Sequence, residues 1–429
     1  MSTVSRGGAL ALTGGSPAVT LPAPAWPAAG EQEVAWMTEV VRSGKWSWVG
    51  PHEQAFCAEF ARFIGTRHAM LLANGTVTLQ CALQAVGVRP GDEVIIPGLT
   101  WVATLQAALD IGANGVLVDI DPETYCLDPA AVEAAITPRT TAIIPVHLYG
   151  CMCDMDALRE IARRHGLKIV EDVAHQHGSR WRDVGAGALG DAGSFSFQQS
   201  KVLTCGEGGA ITCDDDAVYE TAFCLKHVGF LPDVTTPGNR YGHNYRATEM
   251  QAALLRGGLT RIEEQLRIRE ESEALLREGL RRIGGPLRAA RRDPRVTRQS
   301  YYAVTLHFDP AQAAGVTREQ YTAALAAEGL YLMGTYPAVY NHRLLNLYDA
   351  TSPIPYRDPA RVQHYASLRL PVTERVVNEE GVVLSHVPLL GGAPLMAQYL
   401  DAVAKVNDHL AEVTAHFAEA ERCRSASAK

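Results

Sequence analysis

The stretch GSFSFQQSKVLTCGEGG, residues 193–209, contains the feature from which the fold can be read. It begins as a short apolar strand, passes through small hydroxyl residues to Lys201, and ends in a run of glycines. A lysine that leaves a strand in such surroundings is well placed to condense with an aldehyde, because its amine is a Schiff-base nucleophile. Lys201 is therefore the candidate catalytic residue, provided that other parts of the chain supply partners for it.

Around this stretch, from residue 31 to 246, short β-branched runs alternate with helical patterns, which is typical of an α/β fold with a parallel sheet. In such folds ligands bind beyond the carboxyl ends of the strands. Strands are predicted at residues 68–73, 93–97, 115–119, 142–146, 167–171, 193–197 and 209–213.

The rest of the chain divides into three predicted parts. Residues 1–30 are rich in Gly, Ala and Pro, which favours an extended arm over a packed element. Residues 247–285 predict a long connecting helix that ends at a pair of glycines. Residues 286–429 predict a smaller α+β domain, with helices at residues 318–327 and 395–417.

Composition limits the kind of ligand and the compartment. The 429 residues, 47% of them hydrophobic, can build a large and a small core, and the net charge of −8 argues against nucleic acid as a partner. Nine scattered cysteines favour a reducing cytoplasm, and no metal site is expected. No window holds the ~18 apolar residues of a membrane span, and no secretion signal is recognisable. A small-molecule ligand is therefore expected.

Two segments at predicted strand ends can hold a flat, phosphorylated ligand. In Asn74-Gly75-Thr76, glycine lets an anion approach free N–H groups at a helix start, and the Thr76 hydroxyl adds a donor. Helix capping explains this pattern at least as well. Trp101 can stack on a heteroaromatic ring, and a core tryptophan is the alternative.

A third segment, residues 169–172, is an apolar strand that ends in two acids. A carboxylate beside a pyridine nitrogen keeps that nitrogen protonated and makes the ring an electron sink, and Asp172 is the candidate for this role. A capping aspartate is the alternative. Phosphate cup, aromatic ring, acid and Lys201, each at a strand end of one sheet, together indicate pyridoxal 5'-phosphate as the cofactor.

These segments resemble the sugar and cyclitol aminotransferases of the DegT/DnrJ/EryC1/StrS family, over residues 30 to 415. The resemblance implies the type I aminotransferase fold, in which a large domain with a mostly parallel seven-stranded sheet binds the cofactor and a smaller C-terminal α+β domain follows. It also implies a homodimer. The matching segments are residues 73–76, 97–101, 171–178, 194–201, 206–209 and 241–249.

The resemblance implies roles for individual residues. Lys201 would bond covalently to the cofactor, Asp172 would pair with its pyridine nitrogen, and Trp101 would stack on its ring. Asn244 would reach the phosphate of the neighbouring subunit, so that a dimer completes each site. The phosphate would further be held by Gly75, Thr76 and Ser196.

One position departs from the family pattern. His175 stands where the family usually has a glutamine that contacts the phenolic oxygen of the cofactor. Histidine can still donate to that oxygen, but its charge would change the pKa of the bond between lysine and cofactor. His177 matches the family pattern and is expected to be structural.

The segments around Lys201 and Asp172 look more like the branch of the family that aminates inososes. They are similar to L-glutamine:2-deoxy-scyllo-inosose aminotransferases of aminoglycoside antibiotic synthesis, which implies L-glutamine as donor and a keto-cyclitol as acceptor. Loops at residues 45–48, 226–227 and 335–336 are candidates for acceptor contacts.

Other functions are compatible with parts of this pattern. An aminotransferase for nucleotide-linked keto-sugars or a 3-amino-5-hydroxybenzoate synthase would share the cofactor machinery. A 3-dehydratase of the family commonly has histidine in place of the lysine, so Lys201 counts against it. A non-catalytic regulator or partner protein that binds the cofactor is the alternative from another class.

Overall fold

The structure, a computed structural model, describes residues 8–238, 240–342 and 363–427. The first seven residues of the predicted arm lie outside this range. Across the described residues, we find no helix with the length and apolar character needed to span a bilayer.

The described strands include all seven that were predicted in the first half of the chain, and the ends of these seven shift by no more than three residues. The strands are β1 (His68–Leu72), β2 (Glu93–Pro97), β3 (Asn114–Val118), β4 (Thr140–Ile143), β5 (Lys168–Asp172), β6 (Arg180–Trp181), β7 (Val184–Gly185), β8 (Ala192–Ser196), β9 (Gly209–Cys213), β10 (Leu287–Ala289), β11 (Val296–Arg298), β12 (Ala303–Phe308), β13 (Met333–Gly334) and β14 (Gly381–Ser385).

Helices alternate with these strands in the first half of the chain and dominate its end. They are α1 (Glu31–Ser43), α2 (Pro51–Ile64), α3 (Gly75–Ala85), α4 (Ala103–Asp110), α5 (Pro129–Ala135), α6 (Met155–His165), α7 (Asp216–Lys226), α8 (Glu249–Ile283), α9 (Arg318–Ala327), α10 (Pro371–Arg375), α11 (Gly392–Asp408) and α12 (Leu410–Ser427).

The large sheet has seven strands in the order β1-β9-β8-β5-β4-β2-β3. The five strands from β8 to β3 are parallel, and β9 is antiparallel to both β8 and β1. Strand β1 therefore points the same way as the parallel strands. This confirms the mostly parallel seven-stranded sheet, and it brings the carboxyl ends of β1, β2, β5 and β8 to one edge.

The long helix α8 joins the large sheet to a second, four-stranded sheet. It runs for 35 residues and begins with a capping box, in which Thr248 and Gln251 each bond the backbone of the other. It ends at Gly284, whose φ of 69° favours glycine. The second sheet has the antiparallel order β10-β12-β14-β13. The division of the chain into units at residues 30, 246 and 285 stays a prediction.

The N-terminal arm packs against the second sheet region more closely than its composition predicts. Leu10 is fully buried in the core formed by β12, β14, α9 and α11. The backbone N–H groups of Ala11 and Ala18 donate to the Glu328 carboxylate (2.8 and 2.9 Å). Lys405 pairs with the same carboxylate at 2.9 Å. A buried acid that needs donors thus anchors the arm.

Candidate active site

A cavity of about 460 Å³ opens at the edge where β1, β2, β5 and β8 end. Asn244 does not line this cavity. It is exposed, and its backbone pairs with that of His227 in an isolated β-bridge. The other residues predicted for the site all line the cavity, namely Gly75, Thr76, Trp101, Asp172, His175, Ser196 and Lys201.

Lys201 lies in the turn that follows β8, where its N–H donates to the carbonyl of Gln198 (2.8 Å). It is 9% exposed, and its Nζ lies 4.3 Å from the ring centroid of Tyr302. Burial lowers the pKa of the Lys201 amine from 10.5 to about 8, and the charge of Asp172 opposes only part of this effect. The amine can therefore act as a nucleophile and base near neutral pH.

Asp172 is the last residue of β5 and lies buried in the cavity wall. The Thr104 hydroxyl donates to its Oδ2 (2.9 Å), and the Ala174 N–H donates to its Oδ1 (3.2 Å). Burial raises the pKa of Asp172, while these two hydrogen bonds and the charge of Lys201 act against that rise. The carboxylate is thus held in place by neutral donors and can still bind a protonated nitrogen.

The neighbouring acid, Glu171, has a structural role. Its carboxylate accepts from the backbone N–H groups of Gly187 (3.0 Å), Leu189 (2.7 Å) and Gly190 (2.8 Å). It also lies 3.0 Å from Nε2 of His147. These donors occupy both oxygens of Glu171, which leaves Asp172 as the acid available to a ligand.

The predicted phosphate cup is also a helix cap. The Asn74 side chain accepts from the N–H groups of Thr76 (3.1 Å) and Val77 (3.0 Å), so these two N–H groups are not free as the sequence predicted. A Cβ added at Gly75 would lie 2.8 Å from Cβ of Ser196, so glycine is needed where the ends of β1 and β8 meet. Hydroxyls of Thr76 and Ser196 and the start of α3 remain as anion ligands.

His175 is neutral in this site. Its Nδ1 accepts the N–H of Tyr149 (3.1 Å), which places the proton of the neutral ring on Nε2, 3.4 Å from the Tyr336 hydroxyl. Burial and the charge of Lys201 hold the pKa of His175 well below its usual value. The predicted influence of a charged histidine is therefore absent, and His175 keeps a donor to offer.

Tyr302 and Tyr336, which follow α8 in the chain, form a second wall of the cavity. Tyr302 stacks on His175 with centroids 3.9 Å apart, and its hydroxyl lies 3.1 Å from that of Ser200. Trp101 is 53% exposed and lies 5.4 Å from Tyr336 between ring centroids. Trp101 thus retains an open face on which a flat ligand can stack.

Of the loops predicted to contact an acceptor, residues 335–336 reach the cavity through Tyr336. Lys226 does not line the cavity of its own chain: its amine is buried and donates to the Glu53 carboxylate (2.7 Å) and the Leu71 carbonyl (2.8 Å). The tryptophans of residues 45–48 are exposed and do not line the cavity.

With this geometry in hand, comparison with known proteins is direct. The profile of the DegT/DnrJ/EryC1/StrS aminotransferase family matches residues 27–391. The chain belongs to this family. It is therefore a pyridoxal phosphate-dependent aminotransferase, as the resemblance implied.

Relatives of this aminotransferase match nearly its whole length. A protein of Streptoalloteichus tenebrarius, provisionally named L-glutamine:3-amino-2,3-dideoxy-scyllo-inosose aminotransferase, is 44% identical over 92% of this chain and 97% of its own. The L-glutamine:2-deoxy-scyllo-inosose aminotransferase of the same organism is 38% identical over 95% and 99%. The crystal structure of 3-amino-5-hydroxybenzoic acid synthase, 35% identical, superposes with a TM-score of 0.79 over 91% and 98%.

The cavity of this aminotransferase fits its cofactor. Hydroxyls and a helix start suit a phosphate, a buried carboxylate suits a ring nitrogen, and an amine with a pKa of about 8 suits the aldehyde. The close approach of Ser196 to Gly75 holds the phosphate end narrow.

Sequence reasoning missed two residues of this site. Thr104 orients Asp172. Its position four residues after Thr100, one helical turn further along the chain, was the only sequence signal for this role. Tyr302, the residue before β12, contacts both Lys201 and His175, and nothing in its local sequence indicates this position.

Proposed function

We propose that this aminotransferase moves the amino group of L-glutamine to a keto-cyclitol of the inosose type, in the synthesis of an aminoglycoside antibiotic. The names of relatives 44% and 38% identical over more than nine-tenths of the chain support this donor and this acceptor. The observation that carries the chemistry is that a buried Lys201 amine, with its pKa lowered to about 8, lines the same cavity as the Asp172 carboxylate. Buried thiols of Cys126, Cys151 and Cys153, which form no disulfide, fit the cytoplasm as its compartment.

The residues of the chain divide the work between binding and proton transfer. When bound, pyridoxal phosphate supplies an electron sink for the carbanion formed at the donor's α-carbon. Asp172, fixed by Thr104, keeps a proton on a ring nitrogen placed against it. His175 offers its Nε2 proton to an oxygen of the ring, in the place of the usual glutamine.

Lys201 serves as the acid and base of the reaction. Its Nζ is neutral in a useful fraction near pH 8, so it can take the proton from the α-carbon of the donor and return it to a neighbouring carbon. Tyr302 lies over the amine and keeps it within the cavity when it is charged. Because donor and acceptor must use one cavity in turn, ping-pong kinetics are expected.

Acceptor specificity can be tested by direct competition. The purified protein, with L-glutamine, is offered 2-deoxy-scyllo-inosose, its 3-amino derivative, a nucleotide-linked keto-sugar and the precursor of 3-amino-5-hydroxybenzoate. We expect a kcat/KM at least a hundredfold higher for an inosose than for the other two classes. A preference for the nucleotide-linked sugar would overturn the acceptor assignment and leave the aminotransferase assignment intact.

We also infer that two copies of the chain share each site. Asn244 is exposed and does not line the cavity of its own chain, as expected for a residue that serves a neighbour. Lys201→Ala and Asn244→Ala proteins, each inactive or weak alone, should regain activity when mixed and refolded together. Random pairing of equal amounts predicts about a quarter of the wild-type activity, since half of the dimers hold one intact site. Activity equal to the sum of the separate proteins would rule out sharing through Asn244.

A further inference from the structure

Arg269, in α8, is a buried cation for which the described residues supply no acidic partner. Its Nε and Nη1 lack hydrogen-bond partners, and its guanidinium carbon lies 5.3 Å from the ring centroid of Trp26. Among the described residues, Arg269 makes one hydrogen bond, from its Nη2 to Nδ1 of His386 (3.1 Å). An unpaired buried charge destabilises a fold, so its position calls for a functional reason.

The contact with Arg269 determines which nitrogen of His386 carries the proton. Arginine only donates, so Nδ1 accepts and the proton of the neutral ring lies on Nε2. That Nε2 then donates to the backbone carbonyl of Ser200 (2.9 Å), the residue before Lys201. Burial, reinforced by the charge of Arg269, holds the pKa of His386 at about 3, so the ring stays in this state.

Other carbonyls of the same turn are held in the same way. The indole N–H of Trp26, from the N-terminal arm, donates to the carbonyl of Gln199 (3.2 Å). Nε2 of His177 donates to the carbonyl of Ser196 (2.8 Å). The backbone that leads from β8 to Lys201 is thus fixed by side chains from outside the large sheet as well as within it.

We propose that Arg269 and His386 are positioning residues, which act through the Ser200 carbonyl to fix the direction of the Lys201 amine in the cavity. Neither side chain is among those that line the cavity, so their effect passes through the backbone. A displacement of about 1 Å at a reacting group can cost on the order of a hundredfold in rate. The inference rests on Lys201 as the reactive lysine and does not depend on the identity of the keto acceptor.

Two variants of His386 separate the hydrogen bond from packing. His386→Phe keeps a ring of similar shape but removes the donor, whereas His386→Gln retains an amide N–H that can reach the Ser200 carbonyl. For Arg269, the matched pair is Arg269→Met and Arg267→Met. Arg267 lies on the exposed face of the same helix, paired with Glu264 and Glu271.

Four quantities are measured for each protein: the rate of cofactor uptake by the cofactor-free full chain, the rate of the half-reaction with L-glutamine, the KM for L-glutamine, and the thermal midpoint of unfolding. We expect His386→Phe and Arg269→Met to lower both rates at least tenfold, with the KM for glutamine within threefold of wild type. The two rates of His386→Gln should lie within threefold of the wild-type rates, and those of Arg267→Met within twofold. The thermal midpoint of Arg269→Met should not fall, because an unpaired buried charge is removed.

The proposal is overturned if both His386→Phe and Arg269→Met keep the two rates within threefold of wild type. It is equally overturned if the two rates of His386→Gln fall as far as those of His386→Phe, because a change in packing would then explain the loss of rate. If Arg269→Met does not fold, the comparison of His386→Phe with His386→Gln alone decides whether the proposal stands. In Lys201→Ala, measured alongside, loss of the visible absorbance band of the lysine-bound cofactor shows that the rates report on this lysine.

Discussion

The burial of Lys201 predicts how fast the cofactor-free protein takes up pyridoxal 5'-phosphate at each pH. Only the neutral amine attacks the aldehyde. With a pKa of about 8 rather than the ordinary 10.5, the neutral fraction at pH 7 is about a tenth instead of roughly one in three thousand. Burial therefore accelerates uptake about 300-fold at neutral pH.

The shape of the pH profile follows from the same shift. Uptake should rise about fiftyfold from pH 6 to pH 8 and less than twofold from pH 8 to pH 10. The charge of Asp172 raises the pKa of Lys201, so Asp172→Asn should move the midpoint of the profile to lower pH. Stopped-flow absorbance at the visible band of the bound cofactor gives the rate, and ionisations of the free cofactor cancel because they are common to both proteins.

Asp128→Asn is a control for this comparison, since Asp128 only caps α5 and does not line the cavity. Its midpoint should coincide with that of the wild type. A wild-type rate that keeps rising tenfold per pH unit above pH 9 would refute the argument from burial. A midpoint that moves upward in Asp172→Asn would refute the electrostatic part.

The other predictions concern single residues of the cavity. Lys201→Ala should lower transamination by at least four orders of magnitude while phosphate-anchored cofactor binding, followed by equilibrium dialysis, is retained in part; measurable turnover would remove the assignment. Asp172→Ala should cut kcat by several orders of magnitude and Asp172→Glu by less, and equal small effects would mean that Asp172 only caps a turn. Gly75→Ala should weaken cofactor binding by about 1–3 kcal/mol, because its Cβ would meet Ser196 at 2.8 Å, whereas Gly334→Ala, with open space around it, should bind normally.

The cofactor end of the site could be predicted because its signals are local. Each of Gly75, Trp101, Asp172 and Lys201 lies within five residues of the end of a strand, and strands of one sheet direction bring such positions to one edge. Helix α9 was predicted without error at both ends, since Thr317 begins it with a capping box.

The wall of the cavity that Tyr302 and Tyr336 form could not be predicted, because it depends on contacts between distant parts of the chain. Tyr302 lies 101 residues after Lys201, and only the return of the chain along α8 brings the two together. The arm shows the same limit: burial of Leu10 depends on a core built from β12, α9 and α11. The single predicted helix at residues 395–417 is two helices that meet at His409, and neither glycine nor proline marks the break.

The two walls of the cavity have different structural origins, and this has a consequence for specificity. The groups suited to the cofactor lie at the ends of strands in the large sheet, whereas Tyr302 and Tyr336 come from beyond α8. Residues in the second wall can change without disturbing the strand ends, so one cofactor site can serve different acceptors. Substitution of Tyr336 should therefore change kcat/KM among acceptors while leaving the rate of the half-reaction with glutamine within a few fold. Among the described residues, Tyr336 hydrogen-bonds to Tyr149, His175 and Tyr302, and none of these hydrogen bonds runs directly to Lys201.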